Sequence, residues 1–596
     1  MSSSEAAELR KHTAAMAGLF QSRVSSFKNR SDLTSLVKRL NKSAAVTTAT
    51  ETWGEGDWEC VGIDGSMDFD ERMQMILFYV SGTGYRCPLT VSKSDVTIGL
   101  RKLQRDQNLS VTAAVPIWVE DAAALSRQQL GETEFDFNYS MQGIPYALML
   151  MAELNLARAA AMEESTKLVF LDRPLSSTFP SILNDLRMLL RLRSSSLLGI
   201  TTPKGQVTKL DLQLGAVLGS GQRYLPARGQ HLVARAIREL MSGEKAREQL
   251  VSALGLDRDG FDNLVKRLAR FDQLEDGMLL DHCDLTSIMI RDGVKDYWER
   301  LIDATQQVLD KVFHTRGEHP LLMGEDKWLT VLDLNAINLF LLLMLLDVAS
   351  NGNKTIVGIA KDTTATDLTR AVFPYLAWRG DLKTDKPLPQ VRNDRAFLAI
   401  LSATNNKEVE PPWRFIAYDS CFTTLMDNND PEIPLRAARK VVASEQLFVR
   451  TYFQLRSFKT DSAMRSPVFL CDRPFCSKSD PKFTREFDVL ERAHSQRLDP
   501  FFEDGDFSEL DNLLLYLLSL SDNPEVIEAF GHNQLLYLAD KAVKLRVKSM
   551  RSTLRGVADL ELSSLARRER IFTILSRHRD MRADSELRRK RFARNA

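Results

Sequence analysis

Cys60-Val61-Gly62-Ile63-Asp64-Gly65-Ser66 and Leu168-Val169-Phe170-Leu171-Asp172-Arg173-Pro174-Leu175 are two apolar runs, each ending in an aspartate. β-branched and aromatic runs of this length read as buried strands, and Gly or Pro just beyond them marks where the chain turns out of a sheet. A carboxylate at such a strand end sits where a hydrolase places metal ligands. Between the two runs lies an Ala-, Leu- and Met-rich segment, 144–164, with helical periodicity. It carries Glu153 within Leu148-Met149-Leu150-Met151-Ala152-Glu153-Leu154-Asn155. An acid on an apolar helix face is costly unless it is paired or bound to metal. Asp64, Glu153 and Asp172 are therefore the minimum carboxylate set for divalent-metal phosphodiester hydrolysis. Glu163 and Glu164 lie in the polar exit of the helix and read as solvated.

Working outward, a strand over 57–63 is followed by a strand-like stretch 74–80, a Ser81-Gly82-Thr83-Gly84 turn signal, and an extended stretch 111–119. The order strand-Asp, antiparallel strands, Glu-bearing helix, second strand-Asp predicts an α/β fold with an RNase H-like mixed-sheet core. Residues 1–45 show an amphipathic helical pattern through Leu19, Phe20, Val24, Phe27, Leu33, Leu36, Val37 and Leu40. The expected division is an N-terminal helical segment 1–45, a first core part 46–180, a mostly helical insertion 181–350, a second core part 351–560 and a basic tail 561–596. Strand character returns in Thr355-Ile356-Val357-Gly358-Ile359-Ala360-Lys361-Asp362, then over 414–418, 447–455 and 467–471, and helices close the chain from about Leu510. The last 30 residues hold 11 Lys or Arg against 4 acids, a net +7 that suits a solvated helix or an arm for DNA.

The 44% hydrophobic and 27% charged composition is that of a folded soluble protein. Lys plus Arg equals Asp plus Glu at 79 each, which excludes a uniformly basic DNA-coating protein and leaves nucleic-acid affinity to local patches. The six cysteines are scattered and no secretory signal precedes them, so a reduced cytoplasm is expected. Cys471 and Cys476 lack the second close pair of a zinc site. The most apolar segment, 331–348, is interrupted by Asp333, Asn335 and Asn338 and reads as a buried helix, not a membrane span.

Several short motifs, in order, resemble the NurA nuclease family. They are Ile63-Asp64-Gly65-Ser66, the helical Glu153, Leu171-Asp172-Arg173-Pro174-Leu175, and Val357-Gly358-Ile359-Ala360-Lys361 as a Gly-x-x-Lys strand. Tyr452-Phe453-Gln454-Leu455, the strand at Ser466 to Pro474, and the closing Gly531 to Lys541 stretch continue the likeness. The resemblance implies a metal-dependent DNA nuclease with Mn2+ or Mg2+ in a two-metal site held by Asp64, Glu153 and Asp172, with Lys361 on the phosphate. It also implies action on single strands and 5′ ends, as a homodimer, with a HerA-like hexameric ATPase that translocates duplex DNA; the apolar stripe near Leu19 and Phe20 is a docking candidate. The chain departs from the family at Arg173, where a glycine is usual, and at Ala539-Asp540, where Ala-His is usual. Asp540 and His532 are thus accessory candidates.

Other classes fit less well. The Asp64-Gly65-Ser66-Met67-Asp68 stretch is similar to the metal-adhesion loop of von Willebrand A domains, but Asp68 stands where a second serine belongs. Asn351-Gly352-Asn353-Lys354-Thr355 lacks the glycines of a phosphate loop, and Ser66 stands where a haloacid-dehalogenase phosphatase needs its second aspartate. A non-catalytic DNA-binding scaffold that retains the nuclease fold remains the alternative.

Overall fold

The computed structural model describes residues 3–72, 75–118, 137–192, 195–221, 231–314, 318–324, 327–351, 353–383, 386–389, 391–420, 447–456, 465–476, 478–480, 487–491, 494–498, 503, 509–523 and 526–566. Cys421 and the basic 567–596 stretch lie outside these described residues. The elements that build the site are β1 (Gly56–Arg72), β2 (Met75–Val91), β3 (Gln104–Trp118), α1 (Phe137–Met162), β4 (Thr166–Leu171), α2 (Leu175–Leu192), α3 (Val331–Asn351), β5 (Thr355–Ala360), β6 (Phe448–Gln454), β7 (Phe469–Pro474), α4 (Glu509–Leu520) and α5 (Gln534–Ala566).

These elements form a mixed α/β fold around an 11-stranded sheet. Its path runs Val37–Arg39, Trp413–Phe415, β6, β7, β5, β4, β1, β2, Val96–Ile98, with β3 also on β2 and Tyr418–Asp419 on β6. β1 pairs antiparallel with β2 from Gly56↔Val91 to Arg72↔Met75, and β2 with β3. β4 is parallel to β1, and β5 is parallel to β4. The central order is therefore β3-β2-β1-β4-β5, and the parallel strands are apolar on both faces because helices cover both.

The two faces can be read residue by residue, since side chains alternate along a strand. Val61, Ile63, Val169 and Leu171 belong to one core with α1, α2 and α3, whereas Cys60, Leu168, Phe170, Val357 and Ile359 belong to another with α4 and Leu535 and Leu536 of α5. α3 is apolar all round and buried throughout its 339–346 leucine-rich stretch. By length and composition it could cross a membrane, but 83% of that window is buried inside the protein. Its polar interruptions are cross-links: Asn338 Nδ2 donates to the Ala147 carbonyl of α1 (2.9 Å), and Asn335 Nδ2 to Asp185 of α2 (2.7 Å). Asp333 accepts from the Thr330 and Ser196 amides, so none of the three is an idle polar group.

Four sequence expectations change. The Ser81 to Gly84 stretch is no turn but the middle of β2; Gly82 lies against Ala152 and Leu156 of α1, and Gly84 against Leu109, so the glycines serve close packing. The 1–45 stripe is not one helix: the helix ends at Ser25, Phe27 and Leu33 turn into a core with Phe373 and Phe397, and Val37 enters the sheet. Met16, Leu19 and Phe20 stay exposed. The 181–350 segment adds to its helices a small sheet of Lys245–Ala246, Leu280–Cys283 and Ser287–Ile290. Glu163 is paired instead of merely solvated, accepting from Arg86, which also holds Asp106 at 2.6 Å.

α5 lies across β1 and β2, and Arg551, midway along it, donates to Asp68 of β1 at 2.7 Å. Contact is close because Gly62 has no side chain: a Cβ there would lie 2.6 Å from Leu535 Cβ and 3.1 Å from the Leu535 carbonyl carbon. Gly62→Ala is expected to lower stability by about 1–3 kcal/mol, because helix backbone cannot yield as a flexible side chain does. Urea unfolding at neutral pH checks this; a loss under about 0.5 kcal/mol would contradict the packing.

Candidate functional site

The site forms where β4 and β5 end beside the middle of β1; the expected strand end at Asp64 is not one, since β1 runs on to Arg72 paired with β2, with Asp64 opposite Thr83. Ile63 pairs with Leu171, and Leu171 with Gly358, so the next residues, Asp64 and Asp172, emerge at one level from neighbouring parallel strands. The Asp172 amide still donates to the Ile63 carbonyl at 3.4 Å. Alternation then sorts the functional side chains. Asp64 follows Cys60 and Gly62 onto the α5 face, as Asp172 follows Leu168 and Phe170, and Lys361 follows Val357 and Ile359. Lys361 Nζ donates to Asp172 Oδ2 at 3.0 Å. Asp540 of α5 raises both aspartates electrostatically and is itself paired with Lys544 one turn on, at 2.5 Å.

Glu153 and Arg173 belong to the opposite, α1 face. Gly65 turns its bare Cα towards α1, where a Cβ would meet Glu153 Oε1 at 2.5 Å. Glu153 accepts from Arg173 Nε, and both side chains are largely buried, 2% and 18% exposed. The Gly65 amide stands between the faces: it donates to Asp64 Oδ1 at 2.8 Å and also favours the charged form of Glu153.

The turn carrying Asp172 and Arg173 is held from below. Asp472 of β7, fully buried, accepts from the Leu175 amide (2.9 Å), the Ser176 amide (3.0 Å) and the Ser176 hydroxyl, capping the first turn of α2. Arg450 of β6 lies 3.8 Å from the same carboxylate. Gly358 makes room for this arrangement, since a Cβ would lie 2.4 Å from the Arg173 carbonyl oxygen and 2.5 Å from Asp472 Oδ1.

Electrostatically the acids are crowded. Burial, with Asp172, Glu153 and Asp540 around it, pushes Asp64 up to about 9. Asp172 is raised by burial against the opposing pull of Lys361, and Glu153 is raised by burial although Arg173 draws it down. These are oxygen donors whose charge is not fully offset by protein cations, the chemistry of a site for a hard divalent ion. Among the described residues, however, no group of three His, Cys, Asp or Glu is placed to hold a metal. Arg173 occupies Glu153, which approaches from α1, shares the Gly65 amide with Asp64 and acts electrostatically on it. Asp64 and Asp172 thus lie with Lys361 and Asp540, and Glu153 reaches Gly65 from α1 in its pair with Arg173.

His532 precedes α5 and is not on it, so helical spacing does not limit its reach. Its ring stacks on Phe469 at 5.5 Å, and burial, with Lys361 nearby, holds it down to about 3 and hence neutral. Sequence reasoning missed Asp472, whose only outward sign was its place at the end of the 467–471 strand. It also missed the Arg173–Glu153 pair, whose partners are 20 residues apart on different elements.

No family model matches the chain, and no curated protein matches it. Among solved structures it is similar to the NurA nuclease from Sulfolobus solfataricus, with 11% identity, 94% of this chain and 98% of that chain covered, and a TM-score of 0.34. A structure of NurA with manganese has 12% identity over 92% of this chain and 98% of that one, TM-score 0.36. NurA bound to dAMP and manganese has 12% identity over 86% and 92%, TM-score 0.34. Likeness at this level assigns neither activity nor residues, which rest on the geometry above.

A carboxyl raised on folding holds its proton more tightly in the folded state. Stability is therefore highest where Asp64 is protonated in both states, below about 4, and falls as pH rises from there towards about 9. Facing Asp64 are Asp172, Glu153, Asp540 and, as opposing cations, Arg173 and Lys544. Asp64→Asn is expected to stabilise the metal-free protein at pH 8 by on the order of a few kcal/mol, raising Tm by several degrees, with the gain vanishing near pH 4. Melts in chelator across that range read it directly. A variant less stable than wild type at pH 8 would show that the carboxylate is not strained by its neighbours.

Proposed function

We propose that the chain is a divalent-metal-dependent nuclease that hydrolyses phosphodiester bonds in DNA. The observation that carries this reading is the pair Asp64 and Asp172, level with one another on neighbouring parallel strands, on one face with Lys361 and Asp540. The central order β3-β2-β1-β4-β5, antiparallel for its first three strands and parallel beyond, supports the RNase H-like reading of the core. The parallel pairing of β4 with β5 across the intervening chain supports treating 46–180 and 351–560 as one core interrupted by 181–350.

The aspartate pair fits Mn2+ or Mg2+, since such ions are commonly held by one or two carboxylates with water and substrate phosphate filling the rest of the shell. A divalent ion bound there supplies charge neutralisation and Lewis-acid polarisation of the phosphate. Asp64 and Asp172 would hold it. Lys361, already aimed into the pair, orients a phosphate oxygen, and Asp540 with Lys544 shapes the field on the α5 side. Glu153 acts through Arg173 and Gly65 as a positioning residue.

Asp64→Ala or Asp172→Ala is expected to reduce Mn2+-dependent cleavage of single-stranded DNA by roughly 10²-fold or more, and Lys361→Ala by about tenfold with an unchanged metal requirement. Wild-type rates in either aspartate variant would remove the assignment. The buried Arg173–Glu153 pair favours a second reading, a DNA-binding scaffold that retains the fold. Metal-independent DNA binding with no cleavage by the wild-type protein would select it.

The family resemblance further suggests a homodimer in the cytoplasm that works with a HerA-like hexameric ATPase in end resection, for repair or defence. The free thiols of Cys60, Cys87, Cys283, Cys471 and Cys476 suit that compartment. The exposed Met16, Leu19 and Phe20 of the N-terminal helix are a docking surface for the ATPase in this reading. Blunt duplex should be resected only when the translocase and ATP are added, and Phe20→Glu should abolish that stimulation while single-strand cleavage persists. Efficient ATP-independent resection of blunt duplex by the chain alone would dismiss the partner requirement.

A further inference from the structure

The two faces of the site differ in charge. On the α5 face stand three carboxylates, Asp64, Asp172 and Asp540, against two ammonium groups, Lys361 and Lys544; with all of them ionised, as a bound cation requires, the excess is one negative charge. On the α1 face stand one carboxylate, Glu153, and one guanidinium, Arg173, with no excess. The guanidinium also acts electrostatically on Asp64 and Asp172, so it lies within reach of the whole acid cluster. Behind it is a cavity of about 370 Å³ lined by Arg173, Tyr146, Ser177, Asp185 and Asn335. There Asp185 already accepts from Asn335.

We propose that Arg173 is a built-in cation standing in for a second metal ion on the α1 face, so that the chain binds a single divalent cation, on the α5 face between Asp64 and Asp172. This rests on the hydrolytic reading of the site and alters its expected two-metal form. The reason is charge balance in a low-dielectric place. One divalent ion turns the excess of one negative charge into one positive, and a single bridging phosphodiester returns the site to neutrality. Two such ions would leave three positive charges before substrate arrives, and a buried excess of that size is not sustained. An arginine serves this purpose because its guanidinium cannot lose its proton at any physiological pH, so Glu153 keeps a permanent partner. It is also tethered: the Asp472 cap on α2 and the bare Gly358 fix the turn from which Arg173 projects.

The test counts Mn2+ bound by the full-length chain, by equilibrium dialysis and by electron paramagnetic resonance. Sites are counted as those lost in the Asp64→Asn, Asp172→Asn double variant. Wild type is expected to show one such site and a spectrum without coupling between neighbouring ions. Arg173→Ala should show two sites and a coupled spectrum, and Arg173→Lys one. Two sites in the wild type overturn the proposal, as does a folded Arg173→Ala variant that still shows one. Should Arg173→Ala fail to fold, the wild-type and Arg173→Lys counts decide in the same way. No Mn2+ site lost in the double variant overturns the hydrolytic reading itself, whereas two lost sites leave that reading intact and overturn only the role of Arg173.

Discussion

The register of three parallel strands is the constraint on which the site depends. Ile63, Leu171 and Gly358 stand side by side across β1, β4 and β5, and everything beyond follows from alternation. A slip of one residue in β4 would carry Asp172 to the α1 face and Arg173 to the α5 face, exchanging an acid for a base beside Asp64. The cores prevent that slip. Val169 and Leu171 face α1 and α3, while Leu168 and Phe170 face α4 and α5, all at 0% exposure. Moving any of these four out of its core would cost about 1.5–3 kcal/mol of burial per side chain.

Packing also explains why so many glycines line the site. Gly62 admits α5, Gly65 admits Glu153 and Gly358 admits the Arg173 carbonyl and Asp472. None of these three has a positive φ, so the requirement is space and not backbone freedom. Each glycine lets a helix or turn from elsewhere in the chain approach a strand, and so converts sheet geometry into side-chain proximity. The closing helix α5 depends on this most, since Asp540 meets the aspartates only because Leu535 rests on Gly62.

Electrostatics then divides the labour. The α1 side is closed by the Arg173–Glu153 pair, a buried ion pair whose partners would each be costly alone. The α5 side is left with carboxylates raised by burial and by each other, a state that a bound cation relieves. Asp472 is a second buried acid close by, yet it is occupied with the α2 amides and Ser176. Aspartates of one sheet thus have opposite fates because Asp472 faces helix amides whereas Asp64 and Asp172 face like charges.

The linear chain determined the end of β4 before Asp172, the helix carrying Glu153 and the buried character of the 331–348 segment, because each is written in local composition and period, but it placed a strand end at Asp64 where β1 runs on to Arg72. It also determined that residues 64 and 65, or 172 and 173, face opposite ways, since alternation within a strand is a local rule. It misled at Ser81 to Gly84, where glycines signal a turn but serve close packing, and over 1–45, where one stripe is divided among a helix, a core and a strand. Only the tertiary structure decided which strands are neighbours, and hence that Asp64 shares a face with Asp172, Lys361 and Asp540 but not with Glu153. That choice rests on contacts between residues up to hundreds of positions apart, such as Ser176 with Asp472 and Gly62 with Leu535, whose energies exist only once the sheet has closed. No periodicity in the chain encodes them.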